Sequence, residues 1–95
     1  MSRVEVTIYE KLESHCPSCD FMRRVFLKWV DANPQVAVEA VTLGAELHRD
    51  ALVELGVSQA PVYVVKRGSN ETVISGRNPD ILIDALNGVD GIWDY

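Results

Sequence analysis

The sequence predicts a single α/β domain of element order β-α-β-α-β-β-α, a four-stranded mixed sheet flanked by three helices. Three observations carry this expectation. Two β-type runs bracket a helix-period run near the N-terminus, as a parallel βαβ unit requires. A later run is almost wholly β-branched or aromatic, as in a strand buried on both faces, and turn residues join it to another short strand. With 95 residues the chain suffices for one core that buries somewhat over ~60% of the surface exposed on unfolding. Residues 1–95 are therefore read as one domain, with 89–95 as a C-terminal tail.

Val4, Val6 and Ile8 alternate with Glu5 and Thr7 and lead into Tyr9, the period-two signature of a first strand. Glu10 to His15 reads as the loop that follows. Pro17 suits a first helical turn, and Met22, Val25, Phe26, Trp29 and Val30 then recur at helical spacing, with Arg23, Arg24, Lys28 and Asp31 on other faces. Asn33-Pro34 ends that helix. Val36, Val38 and Val41, with Glu39 opposite in parity to Val36 and Val38, predict a second strand parallel to the first.

Gly44 opens a second helical pattern that places Leu47, Ala51, Leu52 and Leu55 on one apolar face, and Gly56 closes it. Val57 to Pro61 is a loop. Val62-Tyr63-Val64-Val65 predicts the third strand, Arg67-Gly68-Ser69-Asn70 a turn, and Thr72-Val73-Ile74 the fourth. A final helix takes Asn78 as N-cap and Pro79 at its first position, buries Leu82, Ile83 and Leu86, and stops near Asn87-Gly88. In the tail, Ile92, Trp93 and Tyr95 either pack back on the body or form a small apolar patch, packing being the commoner outcome.

Hydrophobic residues make up 47% and charged residues 24%, ordinary globular values that exclude disorder and fibrous classes. The net charge of -5 argues against nucleic-acid or anionic-membrane binding, since both reward a basic surface. Met1-Ser2-Arg3 leads straight into a strand without an apolar leader, and no stretch is long enough to span a bilayer. A cytoplasmic monomer is the expectation.

Cys16-Pro17-Ser18-Cys19 holds the chain's only two cysteines. A bridge between residues three apart closes a tiny loop, worth roughly 2 kcal/mol on a loop-entropy estimate, which makes it a weak staple and a good redox couple. A thiol at a helix start also sits where backbone N–H groups and the macrodipole favour its anion, and the thiolate is the nucleophile.

A Cys-x-x-Cys that follows a first strand and opens a helix, with a β-α-β-β-α remainder, resembles the thioredoxin superfamily, and the chain's size its glutaredoxin branch. The resemblance spans about Val4 to Leu86. Gln59-Ala60-Pro61 precedes the third strand, where that superfamily places a cis-proline facing the dithiol. Ser75-Gly76 followed by Pro79-Asp80 looks like the Ser-Gly-x-x-Pro-Asp segment of NrdH-type redoxins. These are glutaredoxin-like electron donors to ribonucleotide reductase that accept electrons from thioredoxin reductase. Ordinary glutaredoxins carry paired glycines and an aspartate there, and Tyr at the position of Ser18. The NrdH type usually has Gln at that position and an aromatic before Ser-Gly, where this chain has Val73-Ile74.

The resemblance implies a thioredoxin-like (glutaredoxin) fold and a dithiol-disulfide oxidoreductase that needs no cofactor and no metal. Its partners would be a protein disulfide, as in ribonucleotide reductase, and either thioredoxin reductase or glutathione as reductant. Cys16 would attack and Cys19 resolve, the Cys16 pKa falling in the ~3.5 to 7.5 range of such thiols. Pro17 would stiffen the turn. Ser18 either donates its hydroxyl or amide toward the Cys16 sulfur or is a solvated loop hydroxyl. His15 either lowers the thiol pKa as an imidazolium or is a plain loop residue, the latter being the commoner case. The backbone of Ala60 would pair with an extended substrate, with Gln59 and Ser75 beside it and Gly76 keeping the wall open.

Lys11 and Arg77 would add positive charge around the dithiol or meet an acidic partner tail, and surface charge alone explains them equally well. His48 reads as solvated, and Phe21, Met22, Phe26 and Trp29 as core. The alternatives are a glutathione-dependent glutaredoxin and an iron-sulfur or other metal-binding module of the same fold. For the latter the single Cys-x-x-Cys supplies only two thiolates.

Overall fold

The computed structural model describes residues 3–88. Strand β1 is Arg3–Glu10, helix α1 Pro17–Ala32, and strand β2 Ala37–Gly44. A 3-10 turn, Ala45–Leu47, precedes helix α2, Arg49–Glu54, and strands β3, Val62–Arg67, and β4, Asn70–Ser75, lead to helix α3, Pro79–Leu86. The expected element order holds. The sheet runs β2-β1-β3-β4, with β1 and β2 parallel and the other two pairs antiparallel. β1 and β3 are thus the central strands, which explains why Val62 to Val65 are all buried: alternate residues point to opposite faces and both faces are covered there.

On one face, Val4, Val6, Ile8, Tyr63, Val65 and Ile74 pack against Met22, Phe26 and Trp29 of α1 and Leu82, Ala85 and Leu86 of α3. On the other, Tyr9, Val62 and Val64 meet Ala45 and the half-buried Leu52 and Leu55 of the α2 segment. The β3–β4 hairpin turns on two residues, and Gly68 at the first has φ of 63°, where a glycine avoids the Cβ clash of the left-handed region.

Two local expectations are corrected and two elements are refined. β1 continues through Glu10, which is paired in register with Gly44 rather than lying in a loop. The second helical pattern is broken at His48 (φ -131°, ψ 40°), so α2 has only six residues and Leu47, expected on its buried face, is 75% exposed. A backbone that leaves the helical rotation at His48 no longer brings Leu47 over Ala51. β2 is an edge strand, and its Val41 is 56% exposed. Asn78 occupies the N-cap position of α3, yet its side-chain amide donates to Ser75 O at 2.7 Å instead of accepting from the helix. The proposed packing of Ile92, Trp93 and Tyr95 falls outside the described residues. Among those residues, no helix is long and apolar enough to cross a membrane.

Candidate active site

Register places the chemistry at one end of the sheet. Tyr9 pairs with Leu43 and Val62, and Val62 with Ser75. The segments after β1, β2 and β4 and before β3 therefore all open at that end. They carry Cys16 to Cys19, Ala45 to His48, Ser75 to Gly76 and Gln59 to Pro61.

Cys16 is the N-cap of α1 (φ -138°, ψ 87°), and its Sγ accepts the backbone N–H of Cys19 at 3.2 Å. Sulfur thus fills a role that hydroxyl and carboxylate oxygens usually hold, satisfying an amide that the helix leaves unpaired. The donor is the amide of Cys19. The hydroxyl of the half-buried Ser18 makes no hydrogen bond among the described residues. Pro17 occupies the first helical turn, where its missing N–H costs nothing, and the helix's backbone bonding begins with Asp20 N–H donating to Cys16 O at 3.1 Å. A disulfide joins Cys16 and Cys19, whose Cα atoms are 5.2 Å apart. Cys16 is half-buried, whereas Cys19 is 1% exposed. One sulfur therefore meets the outside, and the other is reached from within.

The Ala60-Pro61 peptide bond is cis. Pro61 is buried, and its carbonyl accepts Gly76 N–H at 2.8 Å, while Ser75 Oγ donates to Gln59 O at 2.8 Å. These two bonds join the loop before β3 to the end of β4. Among the described residues the N–H and C=O of Ala60 make no hydrogen bond, leaving a main-chain donor and acceptor open. Gly76 has φ of 79°, and a Cβ there would stand 3.2 Å from Gln59 Oε1. Glycine suits the position on both counts. The structure thus brings Gln59, Ala60, Pro61, Ser75 and Gly76 together.

The remaining candidates differ in setting. His15 is exposed immediately before Cys16. Arg77 lies over the ring of Phe21, 3.9 Å from its centroid. Phe21 is half-buried at the edge of the core rather than fully in it, and that guanidinium covers its outer face. His48 is half-buried, not fully solvated: Nδ1 is 2.9 Å from Gly44 O and the ring stands edge-on to Tyr9.

Sequence reasoning missed a buried ion pair. Glu10 is 2% exposed and receives Arg23 in two bonds, Nη2 to Oε1 at 2.7 Å and Nε to Oε2 at 3.3 Å. Accepting these bonds, Glu10 holds the Arg23 guanidinium more firmly charged than usual. Arg23 is four residues after Cys19, so the clamp lies on the Cys19 face of α1, one turn on. Parity carried the signal: Glu10 continues the Val4, Val6, Ile8 series and so points into the α1 face of the sheet. Tyr63 Oη is buried beside this pair with no hydrogen-bond partner, and burial first, then the Glu10 charge, pushes the phenol well above its usual range.

A second carboxylate organises the loop before Cys16. Glu46 accepts the N–H groups of Leu12 and Glu13, each at 3.2 Å, and its own backbone amide first, then these two bonds, hold its pKa below the usual carboxylate value. Among the described residues no group of three His, Cys, Asp or Glu converges as a metal site would.

No protein-family model matches the chain, and no curated protein matches it. Solved structures do. Oxidised mitochondrial thioredoxin 3 from Saccharomyces cerevisiae is 22% identical with a TM-score of 0.68, covering 90% of this chain and 77% of that one. Thioredoxin from Trypanosoma brucei brucei is 21% identical with a TM-score of 0.64, covering 90% and 74%. A chloroplastic thioredoxin z is 13% identical with a TM-score of 0.68, covering 92% and 78%. The chain has a thioredoxin-like α/β fold with a Cys-x-x-Cys pair at the start of its first helix.

Proposed function

We propose that this protein is a thiol-disulfide oxidoreductase that reduces disulfides in other proteins through Cys16 and Cys19. One observation carries the reading: a half-buried sulfur at a helix N-cap is bonded to a buried sulfur one turn on. In the reduced protein the Cys16 thiolate, favoured by the Cys19 amide and the helix start, attacks one sulfur of a target disulfide. That bond breaks, a mixed disulfide forms, and the second target sulfur leaves as a thiolate and takes a proton. Cys19 then loses its proton and attacks Cys16 Sγ, releasing the first target sulfur. Two electrons have passed to the target, and the protein is left with the Cys16–Cys19 bridge.

The open N–H and C=O of Ala60 support docking of an extended target strand beside the dithiol, with Gln59, Ser75 and Gly76 shaping its wall and Pro61 fixing it. Pro17, Ser18 and His15 flank the attacking sulfur. The Ser75-Gly76 and Pro79-Asp80 segment supports the narrower reading of an NrdH-type redoxin, recharged by thioredoxin reductase and donating to ribonucleotide reductase. Glutathione is the rival reductant. Residues that would carry this work do so in the cytoplasm and without a bound cofactor.

Cys16→Ser abolishes insulin reduction, whereas Cys19→Ser accumulates mixed disulfides visible by mass spectrometry. A Cys16→Ser protein with full activity ends the proposal. NADPH oxidation with thioredoxin reductase, compared with glutathione and glutathione reductase, assigns the reductant.

A further inference from the structure

Beside Ala60 lies a groove of about 360 Å3, floored by Ala45, Leu52, Val53 and Val57 and rimmed by Lys11, Glu46 and Arg49. Its apolar character continues outward. Val53 and Leu47 are each 75% exposed and Leu12 60% exposed, three of the six large exposed hydrophobic side chains among the described residues, and Leu12 and Leu47 both stand against Gly44. Such a concentration at one end of the sheet is more than scattered surface leucines provide.

The charges at this rim are unequal in availability. The Leu12 and Glu13 amides each take one Glu46 oxygen, so this carboxylate stays ionised and is turned onto the loop that carries Lys11. Lys11 has only the through-space attraction of Glu46, and Arg49 has no hydrogen-bond or ion-pair partner among the described residues. In a chain of net charge -5, the groove lining instead sets two cations, Lys11 and Arg49, against the single carboxylate of Glu46 over an apolar floor. Resting on the oxidoreductase reading, we infer that the groove selects the target. It takes an extended protein segment bearing a bulky apolar residue with acidic neighbours close to the target cysteine. Ala60 would align that segment by its main chain, the groove would receive the apolar side chain, and Lys11 and Arg49 would meet the carboxylates.

The test uses the reduced protein and three ten-residue peptides, each with one cysteine held in a mixed disulfide with 2-nitro-5-thiobenzoate. One carries Leu-Glu-Glu beside the cysteine, one Leu-Lys-Lys and one Ser-Glu-Glu. Stopped-flow absorbance gives the second-order rate of each. The Leu-Glu-Glu peptide reacts about fivefold faster than Leu-Lys-Lys in dilute buffer, with the gap closing in concentrated salt, the magnitude expected for two exposed ion pairs. The double variant Lys11→Glu/Arg49→Glu reverses that order, and Val53→Ser narrows the gap between the Leu and Ser peptides. Equal rates for all three peptides, or a double variant that keeps the original order, overturn the inference while leaving the oxidoreductase reading intact. Failure to reduce any peptide, or Ellman's disulfide itself, removes both.

Discussion

A single sulfur at Cys16 does two jobs, capping α1 through the Cys19 amide and standing where a partner reaches it. Tyr63 shows the opposite economy. Its ring fills the core against Phe26, with centroids 5.9 Å apart, while its hydroxyl is buried without a partner. Removing an unsatisfied polar atom while keeping the ring relieves a desolvation cost, so Tyr63→Phe is expected to be neutral or to stabilise by up to about 1 kcal/mol in urea unfolding. A loss above about 2 kcal/mol would show that the hydroxyl has a partner. The pH dependence has a definite sign. With the folded pKa above the unfolded value, the neutral phenol contributes stability that is full below about pH 10 and fades as pH rises through the folded pKa. The alkaline fall in stability is therefore smaller in Tyr63→Phe.

At the scale of elements, the Glu10–Arg23 clamp fastens α1 to the end of β1. Arg23→Ala leaves the Glu10 carboxylate buried alone. The Arg23 side chain is 47% exposed, so water enters the gap and the cost is about 2 kcal/mol rather than the ~3–5 of a fully buried pair. Urea unfolding measures it, and an unchanged midpoint would remove the clamp from the account. Glu46 fastens the loop before Cys16 to the turn after β2. Its folded pKa is depressed, so its contribution is present above the unfolded carboxylate pKa and is lost as pH falls through the folded one. Protection of the Leu12 and Glu13 amides, relative to their unstructured exchange rates, is expected to fall over that acidic interval, and to be low at neutral pH in Glu46→Ala. What the sequence showed at this scale was whatever local period encodes: β1, the apolar face of α1, the β3–β4 hairpin and the Cys16-Pro17 helix start. Glu10 was legible by parity but was read as the start of the loop that runs to His15. The break at His48 was not legible, since Leu47, Ala51, Leu52 and Leu55 keep helical spacing across it. The bonds from Ser75 and Gly76 to the Gln59 and Pro61 carbonyls join segments distant in sequence, which no local pattern announces.

Across the whole molecule the two faces of the sheet are unequally held. The α1 and α3 face buries twelve residues in one cluster, whereas the α2 face buries four, and none of them belongs to α2 itself. A six-residue helix has little stability of its own, so α2 depends on the half-buried Ala51, Leu52 and Leu55. Local opening of this segment therefore costs much less free energy than opening the sheet. Native-state hydrogen exchange is expected to show Leu52 and Leu55 amides exchanging at least ~100-fold faster, relative to their unstructured rates, than those of Val6 and Val64, a gap of about 3 kcal/mol. Equal protection in α2 and the central strands would refute this ranking. The consequence reaches the function: the rigid face carries the dithiol on α1, and the yielding face carries Arg49, Leu52 and Val53 of the groove. Chemistry is thereby held in place by the well-packed half, while the half that meets a target's side chains adjusts to them. A peptide with the Leu-Glu-Glu flank, held in the groove by a Cys19→Ser mixed disulfide, accordingly slows exchange in α2 more than in β1 or β3.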